Sequence, residues 1–131
     1  MAAAHPKETV VLFDGDGSLL MHIQELETIK RHGMNMLIIV MNDGAYGSEV
    51  HKLRSEGLPE DGSVFGRPDF AAIARGFGIE GKTFKSLDGL PKMVEAFAKS
   101  GGAAVWDFHV SDKVLSPTIR KAHPPGKHAK A

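Results

Sequence analysis

Apolar positions along the chain alternate between two periods. Residues 9–13 form a short β-branched and apolar run that ends in Asp14-Gly15-Asp16-Gly17. From Ser18 the period becomes helical: Leu19, Ile23, Leu26 and Ile29 share one face, with Gln24, Glu25, Glu27 and Lys30 between them. Ser18 suits the start of that helix, Lys30, Arg31 and His32 its last turn, and Gly33 the cap beyond. Residues 36–41 are a second strand-sized apolar block, ending in Asn42-Asp43-Gly44. A short helix is expected over residues 48–56, then a loop carrying Pro and Gly to Arg67, and a helix over 69–77 with Pro68 at or just before its start. Thr83 and Phe84 fall in a short strand. Residues 87–99 carry the helical stripe Leu90, Met93, Val94 and Phe97, and Gly101-Gly102 breaks the chain before a last strand over 103–110.

Apolar strands separated by helices predict an α/β fold of three layers, a mostly parallel sheet with helices on both faces. In such sheets ligands bind beyond the carboxyl ends of the strands. Both acidic turns, at residues 14–16 and 42–43, fall at such ends.

Composition narrows the function classes. With 131 residues and 42% hydrophobic content the chain is expected to form one domain with a real core. Sixteen basic residues balance sixteen acidic ones, so nothing draws the chain to nucleic acid or to a membrane surface. The absence of cysteine excludes disulfides, thiolate zinc sites and cysteine nucleophiles, and fits a cytoplasmic location. No apolar run approaches the roughly 18–20 residues that span a bilayer. The first six residues read as the last turn of a helix running into Pro6, and residues 123–131, rich in Pro, Gly, His, Lys and Ala, as a flexible tail. A chain that opens on the end of a helix is expected to lack something upstream.

The first acidic turn leads straight into a helix. Gly15 and Gly17 permit close backbone approach, and a helix start offers unpaired N–H groups that attract phosphate. Asp16 repels phosphate unless a divalent cation lies between them. Mg²⁺ takes hard oxygen ligands, commonly one or two carboxylates with phosphate oxygens and water. Asp43 can supply the second carboxylate. Each turn alone would pass for a solvated turn; the pair, at the ends of successive strands, points to a shared site.

Gly15-Asp16-Gly17, followed after 24 residues by Asn42-Asp43, resembles the Gly-Asp-Gly … Asn-Asn motif of thiamine-diphosphate (ThDP) enzymes of the pyruvate decarboxylase and acetolactate synthase group. Ser18-Leu19-Leu20-Met21 with Gln24-Glu25-Leu26 is similar to the helix after the first motif, and Gly44-Ala45-Tyr46-Gly47 to the turn after the second. The resemblance implies that residues 1–122 are a partial diphosphate-binding domain whose first strand is missing. It implies ThDP and Mg²⁺ as cofactors, with Asp16, Asp43 and the Ala45 carbonyl as metal ligands. Asp43 replaces the family's usual Asn and adds a negative charge beside the diphosphate. Gly15, Gly17, Ser18, Tyr46 and Gly47 would join them around the cofactor. Glu49, three residues after Tyr46, stands where the decarboxylase branch places an active-site Glu, which implies a catalytic role, although an acid in a helix's first turn is favoured on electrostatic grounds alone.

The resemblance further implies 2-oxo acid decarboxylation or acetolactate synthesis. It also implies a partner, a pyrimidine-binding domain or subunit that supplies the activating Glu, and no turnover by this chain alone. A homo-oligomer is expected, since an unpaired sheet edge invites association.

Two other reactive readings and a passive one fit parts of the pattern. The run from Val10 to Leu19 is similar to the first motif of haloacid-dehalogenase-type phosphatases, with Asp14 as nucleophile and Asp16 as acid/base. The strand at 36–41 does not end in the Ser or Thr such enzymes need, and Lys92, Asp107 and Asp112 are poorly placed for their later motifs. An EF-hand beginning at Asp14 fails because Leu19 occupies the obligatory Gly position. A non-catalytic cofactor-binding or assembly module remains the third reading. Of the seven histidines none shows zinc-binding spacing, and His22 reads as a helix-face residue.

Overall fold

A computed structural model describes residues 2–122; the tail expected to be flexible lies outside the described residues. The chain runs β1 (Val10–Gly15), α1 (Asp16–Met21), α2 (Glu25–Arg31), β2 (Met36–Asn42), α3 (Gly47–Glu56), α4 (Phe70–Gly76), β3 (Glu80–Phe84), α5 (Leu90–Ser100), β4 (Ala103–His109) and α6 (Pro117–Ala122). Single 3-10 turns lie at Ala2–Ala4 and Asp61–Ser63.

The four strands form one sheet in the order β1-β2-β4-β3, and every pairing is parallel. Val10 lies opposite Met36, and Met36 opposite Ala103, so the carboxyl ends of β1, β2 and β4 finish level. The expected α/β class with a parallel sheet is therefore the observed one. Strand alternation sends the side chains to two separate cores. Ile38, Val40 and Val105 pack with Leu19, Leu26, Ile29, Phe70 and Ala74 beneath α1, α2 and α4. Leu37, Ala104, Trp106 and Phe108 pack with Phe97 beneath α5. Burying each large apolar side chain contributes about 1.5–3 kcal/mol, so these two cores fix the strand register and bring the strand ends level.

The helix expected from Ser18 to Lys30 is two helices. Residues 22–24 form a tighter turn: Glu25 N–H donates to the His22 carbonyl at 2.9 Å and Glu27 N–H to the Gln24 carbonyl at 3.0 Å. His22 ends α1 in a non-helical conformation and reaches back to Asp14, with Nε2 3.2 Å from Oδ2. Helix α1 begins at Asp16, and its cap, Gly15, contributes no side-chain bond. Asp69 caps α4 as its position suggests, accepting from Ala72 N–H at 2.8 Å.

Candidate cofactor site at the carboxyl ends of β1 and β2

Both acidic turns open onto one cavity of about 490 Å³. Its walls include every residue expected at the site: Gly15, Asp16, Gly17, Ser18, Asp43, Ala45, Tyr46, Gly47 and Glu49. The parallel pairing of β1 with β2 places the two turns side by side, although Asp16 and Gly44 are 28 residues apart in the chain.

Asp16 joins the turns. It is 2% exposed; Oδ1 accepts from Gly17 N–H at 2.8 Å and Oδ2 accepts from Gly44 N–H at 2.7 Å. Each carboxylate oxygen has two lone pairs, so acceptor capacity remains on both. Gly44 has φ +83°, and a side chain there would crowd the Gly66 backbone and Arg67. The Gly44 carbonyl in turn accepts from Phe65 N–H at 3.1 Å and Gly66 N–H at 3.0 Å, which anchors the loop behind the turn.

Asp43 is half-buried, and Oδ1 accepts from Ala45 N–H at 3.1 Å. Burial, and then the charge of Asp16, push its carboxyl above the ordinary aspartate range. Arg67 and His51 pull in the other direction. Two glycines make room for these groups. A Cβ on Gly47 would collide with Asp43 Oδ2, and one on Gly17 would come within 2.7 Å of the Tyr46 ring. Tyr46 is held edge-on to Phe65 at 5.2 Å.

Tyr46 precedes α3 without a side-chain cap. The Glu49 and Val50 amides turn back to its carbonyl at 2.9 and 3.0 Å. Among the described residues that leaves the Gly47 and Ser48 amides without an acceptor at the start of a ten-residue helix. Glu49 is exposed and pairs with Lys52 at 2.8 Å.

Several residues reach the cavity without any signal in the motifs. His51 is buried and lines it, as do Met21 and Met41. Val114, Ser116 and Ile119 come from the segment after β4, where no element was expected and α6 forms. Arg54 positions that segment: it pairs with Glu60 and donates to the Asp112 carbonyl at 2.9 Å. The Arg54 guanidinium holds the Glu60 carboxyl below its usual range.

Two residues of the acidic turns point away from the cavity. Asn42 is fully buried on the opposite side of β2, donating to the Pro68 carbonyl at 3.1 Å and to Asp107 Oδ1 at 3.0 Å. Burial raises the Asp107 carboxyl above its ordinary range, while the Asn42 bond opposes that shift. Asp14, the nucleophile of the phosphatase reading, pairs with His22 and is not part of the cavity wall.

A parallel α/β sheet with its cavity beyond the strand ends, walled by a Gly-Asp-Gly turn and a second acidic turn, defines a cofactor-domain class rather than a lone turn motif. The chain belongs to the family described as thiamine pyrophosphate enzyme, C-terminal TPP binding domain, whose profile matches residues 1–108. It is 30% identical over 125 residues to the acetolactate synthase isozyme 2 large subunit of Escherichia coli, covering 94% of this chain and 22% of that protein. It is 34% identical over 112 residues to the acetolactate synthase large subunit of Haemophilus influenzae, covering 83% of this chain and 20% of that protein. The chain thus spans about a fifth of the length of these relatives. In structure it is similar to benzoylformate decarboxylase from Polynucleobacter necessarius, with a TM-score of 0.77 at 19% identity, over 86% of this chain and 22% of that one; this likeness is one of fold. No helix among the described residues is long and apolar enough to cross a membrane.

Proposed function

We propose that residues 1–122 hold the diphosphate of thiamine diphosphate through Mg²⁺, as part of a 2-oxo acid decarboxylase or acetolactate synthase-like enzyme. The observation that carries this reading is the single cavity shared by both acidic turns, with Asp16 bonded across from one to the other.

The residues fit the cofactor. Two carboxylates face one space; burial, and then the Asp16 charge, raises the Asp43 carboxyl, and a cation between the two would relieve that repulsion. Among the described residues no cluster of three or more His, Cys, Asp or Glu could hold a metal by itself. A donor set of two carboxylates suits Mg²⁺, which keeps positions for phosphate oxygens and water. The Ala45 carbonyl is the third protein ligand in this reading. Gly47 and Ser48 offer unpaired amides to the diphosphate, and Gly15, Gly17, Ser18 and Tyr46 complete the cradle. Bound ThDP would supply the carbanion-stabilising chemistry of its thiazolium ring. Glu49, on the exposed rim, is the candidate proton donor or acceptor toward substrate.

The remainder of the enzyme is supplied by a pyrimidine-binding domain or subunit, and the chain alone does not turn over. The relatives' greater length supports this. So does β1, an outer strand whose Val11 (48% exposed) and Phe13 (68% exposed) lie on the sheet face that α5 packs against but leaves largely uncovered here. The same edge suits assembly into a homo-oligomer, and the cysteine-free composition a cytoplasmic one.

Calorimetric titration of ThDP into the purified chain tests the reading. Binding is expected with Mg²⁺ and is expected to vanish on chelation of the metal. ThDP binding of equal strength in the presence of excess chelator would refute the metal-bridged site. Beryllofluoride, an acylphosphate mimic, is expected not to bind, because Asp14 is turned to His22.

A further inference from the structure

His51 lies one turn after Gly47 on α3, so the two residues share a helix face. Asp43 Oδ2 rests against that face at Gly47. The His51 side chain is 9% exposed and lines the same cavity as Asp16, Asp43 and Ser48. It is among the lesser influences that lower the Asp43 and Glu60 carboxyls. Yet none of the described residues forms a hydrogen bond with its ring.

The ring nitrogens are not among the fully buried side-chain atoms that lack a partner, so they are open to solvent beside the cavity, where a ligand can meet them. An imidazole carries at least one N–H in either tautomer, and among the described residues nothing accepts it, which leaves it available to a ligand in the cavity. The cavity already presents two carboxylates, which a cation would balance, and unpaired amides at the start of α3. A ligand that satisfies all three features carries several anionic oxygens.

We propose that His51 is a binding residue of this cavity, donating an imidazole N–H to a phosphoryl oxygen of the bound diphosphate on the side held by Asp43. This rests on the Mg²⁺–diphosphate reading above. It assigns His51 a contact to the ligand itself, not to the thiamine rings and not merely to the helix packing.

The test uses the full chain with ¹⁵N-labelled histidine. Ring ¹H–¹⁵N correlations are recorded alone, with Mg²⁺, with Mg²⁺ and ThDP, and with Mg²⁺ and unphosphorylated thiamine. In parallel, ThDP is titrated calorimetrically into wild type, His51→Ala and His51→Asn, with thermal melts as the fold control. The His51 ring signals are expected to move with Mg²⁺–ThDP and to stay still with thiamine. His51→Ala is expected to bind Mg²⁺–ThDP about tenfold or more weakly, as for loss of a bond to a charged acceptor. His51→Asn, which keeps an N–H donor, is expected to recover part of that loss. Wild-type binding with unmoved His51 signals and undiminished affinity in His51→Ala would sink the inference and leave the site reading standing. Absence of Mg²⁺-dependent ThDP binding to wild type would sink both. If the variants fail to fold, the wild-type ring signals decide alone.

Discussion

The turn after β1 and the turn after β2 each aim a carboxylate into the same cavity, but they hold it differently. Asp16 is 2% exposed, and each of its oxygens accepts from a backbone N–H, one in its own turn and one in the neighbouring turn. Asp43 is half-buried; one oxygen accepts from Ala45 N–H, and the other sits over a glycine. Burial disfavours a carboxylate, and directed N–H donors favour it. Asp16 has two such donors and Asp43 one, together with the like charge of its neighbour. The first turn is thus a structural joint that can also bind a ligand. The second carries less of the structure, and in the proposed function it serves mainly to bind. Fold and function should therefore separate differently when each is altered.

The largest effect is expected from Asp16→Ala. It removes two bonds to a buried charged acceptor, each worth about 1.5–3 kcal/mol, and strands the Gly44 amide. Relief of repulsion with Asp43 offsets part of this, leaving a net loss of roughly 3 kcal/mol. Denaturant unfolding should show it, and Mg²⁺-dependent ThDP binding should disappear with it. A variant as stable as wild type would show that Asp16 is not the joint between the turns.

Gly47→Ala probes the second turn through its neighbour. Alanine is favoured over glycine within a helix by about 1 kcal/mol. Here, however, the new methyl would meet Asp43 Oδ2 and turn that carboxylate out of place. Overpacking of this kind costs about 1–3 kcal/mol. The two terms nearly cancel in stability, while binding loses a correctly placed ligand. The expected result is a melting curve close to wild type with ThDP affinity reduced at least tenfold. Equal losses in both would mean that the second turn is as structural as the first.

Much of this geometry was legible in the chain. The strand blocks, the parallel α/β class and the two acidic turns follow from hydrophobic period and turn chemistry, because each is local. The break in the first helix was hidden. Bonds such as Glu25 N–H to the His22 carbonyl tighten the chain yet keep Ile23, Leu26 and Ile29 facing the core, so the apolar spacing passes through unaltered. The His22–Asp14 pair that accompanies it is a tertiary contact. Asn42 was readable only as half of a motif. Strand alternation sends it away from Asp43 toward Asp107 on β4, a partner 65 residues along the chain. His51 carried no signal of its own, since one histidine in a short helix is ordinary until the cavity beside it is seen. The α6 segment was also missed: it has no buried residues and so no amphipathic stripe.

The smallest and most diagnostic change is Asp43→Asn, which restores the residue type expected from the family resemblance and removes one of the two facing charges. Asp43 has its carboxyl raised above the reference value of 3.8 by burial and by Asp16. The folded state then holds its proton to higher pH than the unfolded chain does. Stability accordingly falls as pH rises from about 3.8 through the raised folded value, and stays lower above it. The Asp107 carboxyl, raised by burial, adds a fall of the same sign, so only the difference between wild type and variant isolates Asp43. Without metal, Asp43→Asn is expected to be slightly more stable than wild type at neutral pH, with the advantage shrinking on acidification through that window. Adding Mg²⁺ should narrow the gap from the other side, since a cation that binds two carboxylates stabilises wild type more than a variant with one. Melts across pH, with and without Mg²⁺, measure both effects. A gap indifferent to pH and to Mg²⁺ would mean that the two carboxylates do not share a cation, and that Asp43 serves its own turn as Asp16 serves the joint.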